Sequence, residues 1–213
     1  YDGKIRLKVS NKLTQEKTSD DIFNDKESGL KIMSFNVHNL FNGDGIGGGF
    51  PTQRGAKNTE QYRRQILKLK KTIDTVNPDI LAMMEVENDG FNSLSSLQQF
   101  CDFLNHNSAR KYLICPSNES PGLDQIMTAL IYDSTIVKVV NKGIYYADNL
   151  FSRAPLFQEF SYKDSLQFVV SVNHFKSKSP RGSKDLNLDQ NDGQGAYNFK
   201  RINQARKLIL IVD

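Results

Sequence analysis

Two hydrophobic periods divide the chain from Leu30 onward. KIMSFNV (31–37) and ILAMMEVEN (80–88) are short, mainly apolar runs, and each reads as a buried strand. Between them Tyr62, Ile66, Leu69, Ile73 and Val76 recur every three or four residues, forming the stripe of an amphipathic helix. Asn58 or Thr59 is placed to cap that helix. Asn77-Pro78 ends it, since proline drives the residue before it out of the helical region. A second helix is predicted over roughly Ser93 to Asn107, with Leu94, Leu97, Phe100, Cys101 and Leu104 inward. The texture then shortens. KYLICP, IMTALIYD, IVKVV, LFQEFSY and QFVVSVNHF follow one another, separated by Asn, Gly, Asp, Ser and Pro, as largely antiparallel strands do. A last helix is expected from about Ala196 to Ile211. Strand–helix–strand followed by a run of strands predicts a layered α/β fold.

Ahead of this part, IRLKVS (5–10) alternates like a short strand, and Asn11 to Gly29 holds only three apolar residues. Residues 1–29 are therefore expected to be a strand and linker, or the tail of an upstream module, preceding one organised domain over 30–213. A chain of 213 residues with 38% hydrophobic content can bury one sizeable core. No apolar run approaches the roughly 20 residues of a membrane span. The formal charge of +4 admits a polyanionic partner without requiring one, and the oligomeric state is open. Cys101 and Cys115 match no zinc or redox spacing, so a disulfide and two buried thiols both stay open. The chain begins at Tyr1, with neither an initiator Met nor a signal peptide, and reads as a fragment of a longer protein.

The stretch FNVHNLFNGDGIGGGFPTQRGA (35–56) contains Gly43, Gly45 and Gly48 in the G-x-G-x-x-G spacing of a dinucleotide-binding turn. Context excludes that reading. The last glycine must open a helix whose N-terminus holds the pyrophosphate, but Gly49-Phe50-Pro51 follows and the next helix starts near Asn58. No Lys-Ser/Thr pair completes a P-loop either. The glycines instead predict a surface loop beside a site.

Candidate chemistry gathers at strand ends. Asn36 and His38 close the first strand, although an asparagine there is also an ordinary turn former. Glu85 and Glu87 share one face of an extended strand, with Met84 and Val86 on the other. A carboxylate following ILAMM is costly to bury unpaired, so Glu85 is expected at a strand terminus facing a base or a hard cation. Arg153 stands in SRAPLFQEF. His174 directly follows an apolar strand, where it can shuttle a proton or bond a phosphate. Lys176, Lys178, Arg181 and Lys184 succeed it with no acid before Asp185, and Arg63, Arg64, Lys68, Lys70 and Lys71 crowd the first helix. Such runs are usually solvated faces, but two of them around an acid/base centre suit a phosphate backbone. DLNLDQNDGQG (185–195) has the oxygens of a calcium loop, yet lacks the EF-hand glycine and closing Glu.

Taken together, these segments resemble the endonuclease/exonuclease/phosphatase superfamily, and within it the large secreted bacterial nucleases. SFNVHNLFNGDGIGGGFPTQRGA is similar to that group's first strand and loop, LAMMEVEND to its acidic strand, NHFKSK to its histidine segment and DGQGAYNFKRINQA to its next helix. The resemblance runs from about residue 30 to 213. It implies a four-layer α/β sandwich, with two mixed sheets face to face and helices outside. It further implies metal-dependent hydrolysis of phosphodiesters in nucleic acid, DNA or RNA, with Mg²⁺ or Mn²⁺ and with Ca²⁺ as an alternative ion, in a secreted, periplasmic or cell-surface protein.

Residue by residue, the resemblance makes Glu85 the principal metal ligand, Asn36 its support and Arg153 a phosphate contact. His174 becomes the histidine at the scissile phosphate, and Asp124 in GLDQIMTALIYD an acidic position before a strand. Lys176, Lys178, Arg181 and Arg54 would contact the nucleic acid. Two departures stand out. Ser179 and Tyr197 lie where relatives often carry a cysteine pair, and the family's D-x-N and final Asp-His motifs would fall beyond Asp213. The resemblance therefore implies a domain cut short and inactive alone. A phosphomonoesterase or lipid phosphodiesterase, or a non-catalytic nucleic-acid-binding module, are the alternatives.

Overall fold

The chain is organised around β2, Ile80–Glu87, whose first four residues are fully buried. The computed structural model describes residues 29–117 and 120–212. The strand and linker expected over 1–29 lie outside the described residues, Gly29 excepted. β2 pairs in parallel with β1 (Ile32–Leu40) and antiparallel with β4 (Ile126–Asp133), which in turn carries β3 (Tyr112–Ile114). This first sheet has the order β1-β2-β4-β3. A second, antiparallel sheet centres on β7 (Leu156–Tyr162). It is flanked on one side by β8 (Leu166–Val172) and on the other by β5 (Val137–Val139) and β6 (Ile144–Tyr145).

Each face of the first sheet is covered. On one face, α1 (Thr59–Val76) and α2 (Ser96–Asn105) set Leu69, Ile73, Leu97, Phe100 and Leu104 against Val37, Leu81, Met83 and Ile131. On the other, Ile80, Ala82, Leu130 and Tyr132 meet Leu156, Phe160 and Val172 of the second sheet. The result is helices, sheet, sheet: an α/β sandwich. The third helix, α3 (Asn198–Val212), follows the long loop after β8 and buries one residue, Gln204. Among the described residues no helix is long and apolar enough to cross a membrane.

Local chemistry explains the boundaries. The Asn58 side chain accepts from Gln61 N to cap α1, and Asn77 closes it at φ 52°, a left-handed conformation asparagine tolerates. Ser95 caps α2, which leaves Leu94 ahead of the helix and 47% exposed rather than inward. The expectation that β1 is buried throughout is also revised. β1 lies at the edge of its sheet, so Ile32, Ser34 and Asn36 are exposed while Val37 and Leu40 enter the core. Cys101 belongs to the core beneath the helices and Cys115 to the core between the sheets. Both are buried free thiols, which resolves the disulfide question.

At one end of the first sheet a polar knot holds four segments together. Arg110 Nη1 donates to Asp79 at 2.5 Å and to Asp133 at 3.0 Å, and its Nε and Nη2 reach the side chain and carbonyl of Asn77. Asp79 also accepts from Lys31 N. Both carboxylates are nearly inaccessible, at 6% and 1% exposure. Burial alone would push Asp133 up. Bonds from the Thr135 hydroxyl and amide and from Arg110 outweigh it and hold the carboxyl below its ordinary value. A depressed carboxyl stabilises the fold above the unfolded-state value and loses that contribution as pH falls through the folded one. Asp133→Asn is expected to cost about 2–3 kcal/mol in urea unfolding at pH 7. The gap to wild type should persist down to about pH 4 and close below it.

Candidate functional site

The opposite end of the first sheet carries the site, and an irregularity in β2 makes it. Glu85 has φ 66°, and the pairing with β4 slips between Met84 and Val86, so Glu85 is the extra residue of a β-bulge. The slip breaks the strand's alternation. Met84 packs into the core between the sheets, whereas Val86 enters the core under the helices. Glu85 and Glu87 therefore do not share a face, and each carboxylate has its own surroundings. β1 is displaced at the same level, with His38 and Asn39 at φ 59° and 52° between Asn36 and Leu40. Asparagine enters this left-handed region more readily than most residues, and the N-rich FNVHNLFN supplies it.

The bulge aims Glu85 into a cleft of about 290 Å³ between the ends of the two sheets. Asn36 Nδ2 donates to Glu85 Oε1 at 2.9 Å, and the Asn39 amide donates to Oε2 at 3.1 Å. Asn36 Oδ1 accepts from the His38 amide, which fixes the asparagine's orientation. His174, just past β8, brings Nε2 to 3.6 Å from Glu85 Oε1. Burial, and secondarily the Arg153 charge, holds this imidazole below its ordinary value against the opposing pull of Glu85. His174 is thus neutral at pH 7. Its Nδ1 is buried and has no hydrogen-bond partner among the described residues.

Asp124, in the loop before β4, reaches both arginines of the cleft. Its Oδ1 lies 3.1 Å from Arg54 Nη1 and its Oδ2 3.5 Å from Arg153 Nη1. Lys176 completes the wall, its ammonium 4.5 Å from the Tyr197 ring centre. Asn36, Glu85, Asp124, Arg153, His174, Arg54 and Lys176, singled out in the sequence, are thus brought to one place. Lys178 and Arg181 are not. They sit farther along the exposed loop after β8, where Lys178 lies beneath Gly195 and the Arg181 carbonyl accepts from Tyr197. Asn39 and Ser177, which also line the cleft, were missed. The asparagine-rich strand end was the available signal for the first.

Glu87 faces away from this cleft. Its Oε2 accepts from the Asn42 amide, and burial first, with Asp89 second, pushes it up to about 7. The glycine loop lies beside Glu87 and folds on itself. A side chain on Gly43 would strike the Gly48 carbonyl, and one on Gly45 the Leu94 carbonyl. Asp44 closes the ring by accepting from the amides of Ile46 and Gly48. These glycines serve close packing of backbone on backbone.

No protein-family model matches the chain, and no curated protein matches it. Solved structures do. A humanized TDP2 of D. rerio is 14% identical with a TM-score of 0.49, covering 85% of this chain and 55% of its own. ANGEL2, described as a 2′,3′-cyclic phosphatase, is 13% identical with a TM-score of 0.46, over 71% of this chain and 42% of its own. An endonuclease/exonuclease/phosphatase family protein of Bacteroides thetaiotaomicron is 13% identical with a TM-score of 0.42, over 67% and 49%. The chain spans about half the length of these proteins.

The electrostatic balance at His174 has a measurable consequence. In NMR titrations of the metal-free chain, the His174 ring is expected to protonate below pH 6.5. Glu85→Gln should lower its midpoint further, because the carboxylate is the nearest group favouring the charged ring.

Proposed function

We propose that this cleft is the phosphate- and metal-binding centre of a hydrolase that cleaves phosphodiester bonds in nucleic acid, DNA or RNA. One observation carries the reading. A carboxylate, a neutral imidazole and three cationic side chains converge from four separate segments on one cleft, held by asparagine and aspartate partners. Chains merely carrying solvated basic faces have no reason to collect these groups around a bulged, left-handed glutamate.

The donor set fits a hard, sparsely held cation. No group of three or more His, Cys, Asp or Glu side chains is poised for a metal among the described residues. Magnesium and manganese, however, suit one or two carboxylates with water and substrate phosphate completing the shell. Glu85 would be the protein ligand, with Asn36 and the Asn39 amide fixing its two oxygens. When bound, such an ion would supply Lewis-acid polarisation of a phosphoryl oxygen. The chain's own groups do the rest. Cationic side chains bind the non-bridging oxygens and orient the diester. His174 presents Nε2 to the cleft, where it bonds a phosphate oxygen or passes a proton to or from the reacting oxygens. Lys178 and Arg181, exposed beyond the cleft, favour a polyanion longer than one phosphate.

Nicking of supercoiled plasmid tests this, measured on the longest gene product that contains the chain. Magnesium-dependent nicking is expected, abolished by EDTA. Glu85→Ala and His174→Ala should each lower the rate by about 100-fold or more, with unfolding midpoints near wild type. Retained nicking in both variants would overturn the site assignment.

A further inference from the structure

The two arginines of the cleft hold different positions, and their hydrogen bonds separate their roles. We infer that Arg54 is the residue that takes the phosphate, whereas Arg153 is a positioning residue that braces His174. This rests on the phosphodiesterase reading above and departs from the expectation that Arg153 contacts phosphate.

Arg153 is largely committed to the protein. Its side chain is 11% exposed, and Nη2 donates to the carbonyls of His174 and Phe175, at 3.1 Å each. Nη1 faces Asp124, and Nε is buried without a partner among the described residues. One planar guanidinium thereby ties the loop before β7 to the loop before β4 and to the backbone leaving β8. The carbonyl it grips is that of His174 itself. A guanidinium spanning two carbonyls and a carboxylate fixes backbone position in a way one ammonium cannot, since its donors lie in a rigid plane. Arg153 thus sets where His174 Nε2 stands relative to Glu85.

Arg54 is built the other way. Its side chain is 41% exposed and lines the cleft, and its one hydrogen bond among the described residues runs from Nη1 to Asp124 Oδ1. The remaining edge of the guanidinium is available to a planar, bidentate partner such as two phosphate oxygens. Asp124 is itself held, since its backbone carbonyl accepts from Asn88 Nδ2. It therefore tethers Arg54 on a fixed post while leaving that edge open. Asp124 acts on arginines and lies outside the reacting set.

Oligonucleotide binding at several salt concentrations, combined with NMR of the His174 ring, separates the roles. Arg54→Gln should weaken binding of a short single-stranded DNA by about 10-fold and lower the salt slope of log Kd by about one, with His174 resonances in place. Arg153→Gln should shift or broaden those resonances and lower turnover by about 10-fold. Its Kd and KM should stay within about twofold of wild type, with the salt slope unchanged. Arg153→Lys keeps the charge but cannot span both carbonyls, so it should behave like Arg153→Gln. It also carries the measurement if the glutamine variant fails to fold. A salt slope lowered by Arg153→Gln with His174 unmoved would overturn the assignment, and so would an unchanged slope in Arg54→Gln. If the wild-type chain binds DNA without salt dependence, the phosphate reading fails and takes Arg54 with it. The brace is still decided by the His174 resonances.

Discussion

A glutamate in left-handed backbone, inside a central strand, is the constraint on which this architecture turns. A regular β2 would send Glu85 and Glu87 to the same side and continue the burial pattern of Ile80 to Met83 to the strand's end. The bulge instead inserts one residue, re-aims the carboxylate and hands Val86 back to the core beneath the helices. Holding a non-glycine residue at positive φ costs on the order of 1–3 kcal/mol. The surroundings that offset this are specific: Asn36 and the Asn39 amide occupy both carboxylate oxygens, and β1 is displaced at the same level to deliver them. The two irregular strands are therefore one feature.

Separation of charge follows from that feature. Glu85 ends among cationic groups and polar donors, while Glu87, two residues away, ends beside Asp89 in a setting that favours the protonated acid. One strand thus supplies a carboxylate held by two donors in the cleft and another that titrates near neutrality. The positive side chains opposite Glu85 come from distant segments and are gathered by Asp124, whose two oxygens face two arginines. The polar knot at Arg110 sits at the other end of the same sheet and anchors the strand starts, so bulging at the far end need not loosen the whole.

Much of this was legible in the sequence wherever a period was clean. The stripe of α1 and its asparagine cap, and the full spans of β4 and β7, stand where their patterns place them. Most of the side chains that meet at the cleft were legible through position and type, whereas Asn39 and Ser177 were not. What escaped was set by tertiary contacts. Nothing local in LAMMEVEN reveals that Glu85 leaves the extended region, so the shared face of Glu85 and Glu87 was a sound inference from an alternation the fold interrupts. Leu94 fits a helical stripe, but Ser95 caps first. The partners of Arg54 and Arg153 were hidden because Asp124 lies 70 residues from one of them. The glycines that imitate a nucleotide fingerprint are needed because backbone meets backbone within their own loop.

Helix α3 is held by scattered polar contacts: Lys207 pairs with Asp148 at 3.3 Å, the Lys200 amide donates to Asn187, and Gln204 is its one buried side chain among the described residues. Gln204, 1% exposed, accepts from the Lys176 amide at 3.1 Å and donates to the Leu150 carbonyl at 3.0 Å, while Phe199, Ile202, Ile209 and Leu210 remain exposed. A helix attached by separate polar contacts, and not by a dry seam, rests beside the cleft rim through Gln204. Of these contacts, the one through Gln204 couples the packing of the helix directly to the backbone that carries Lys176.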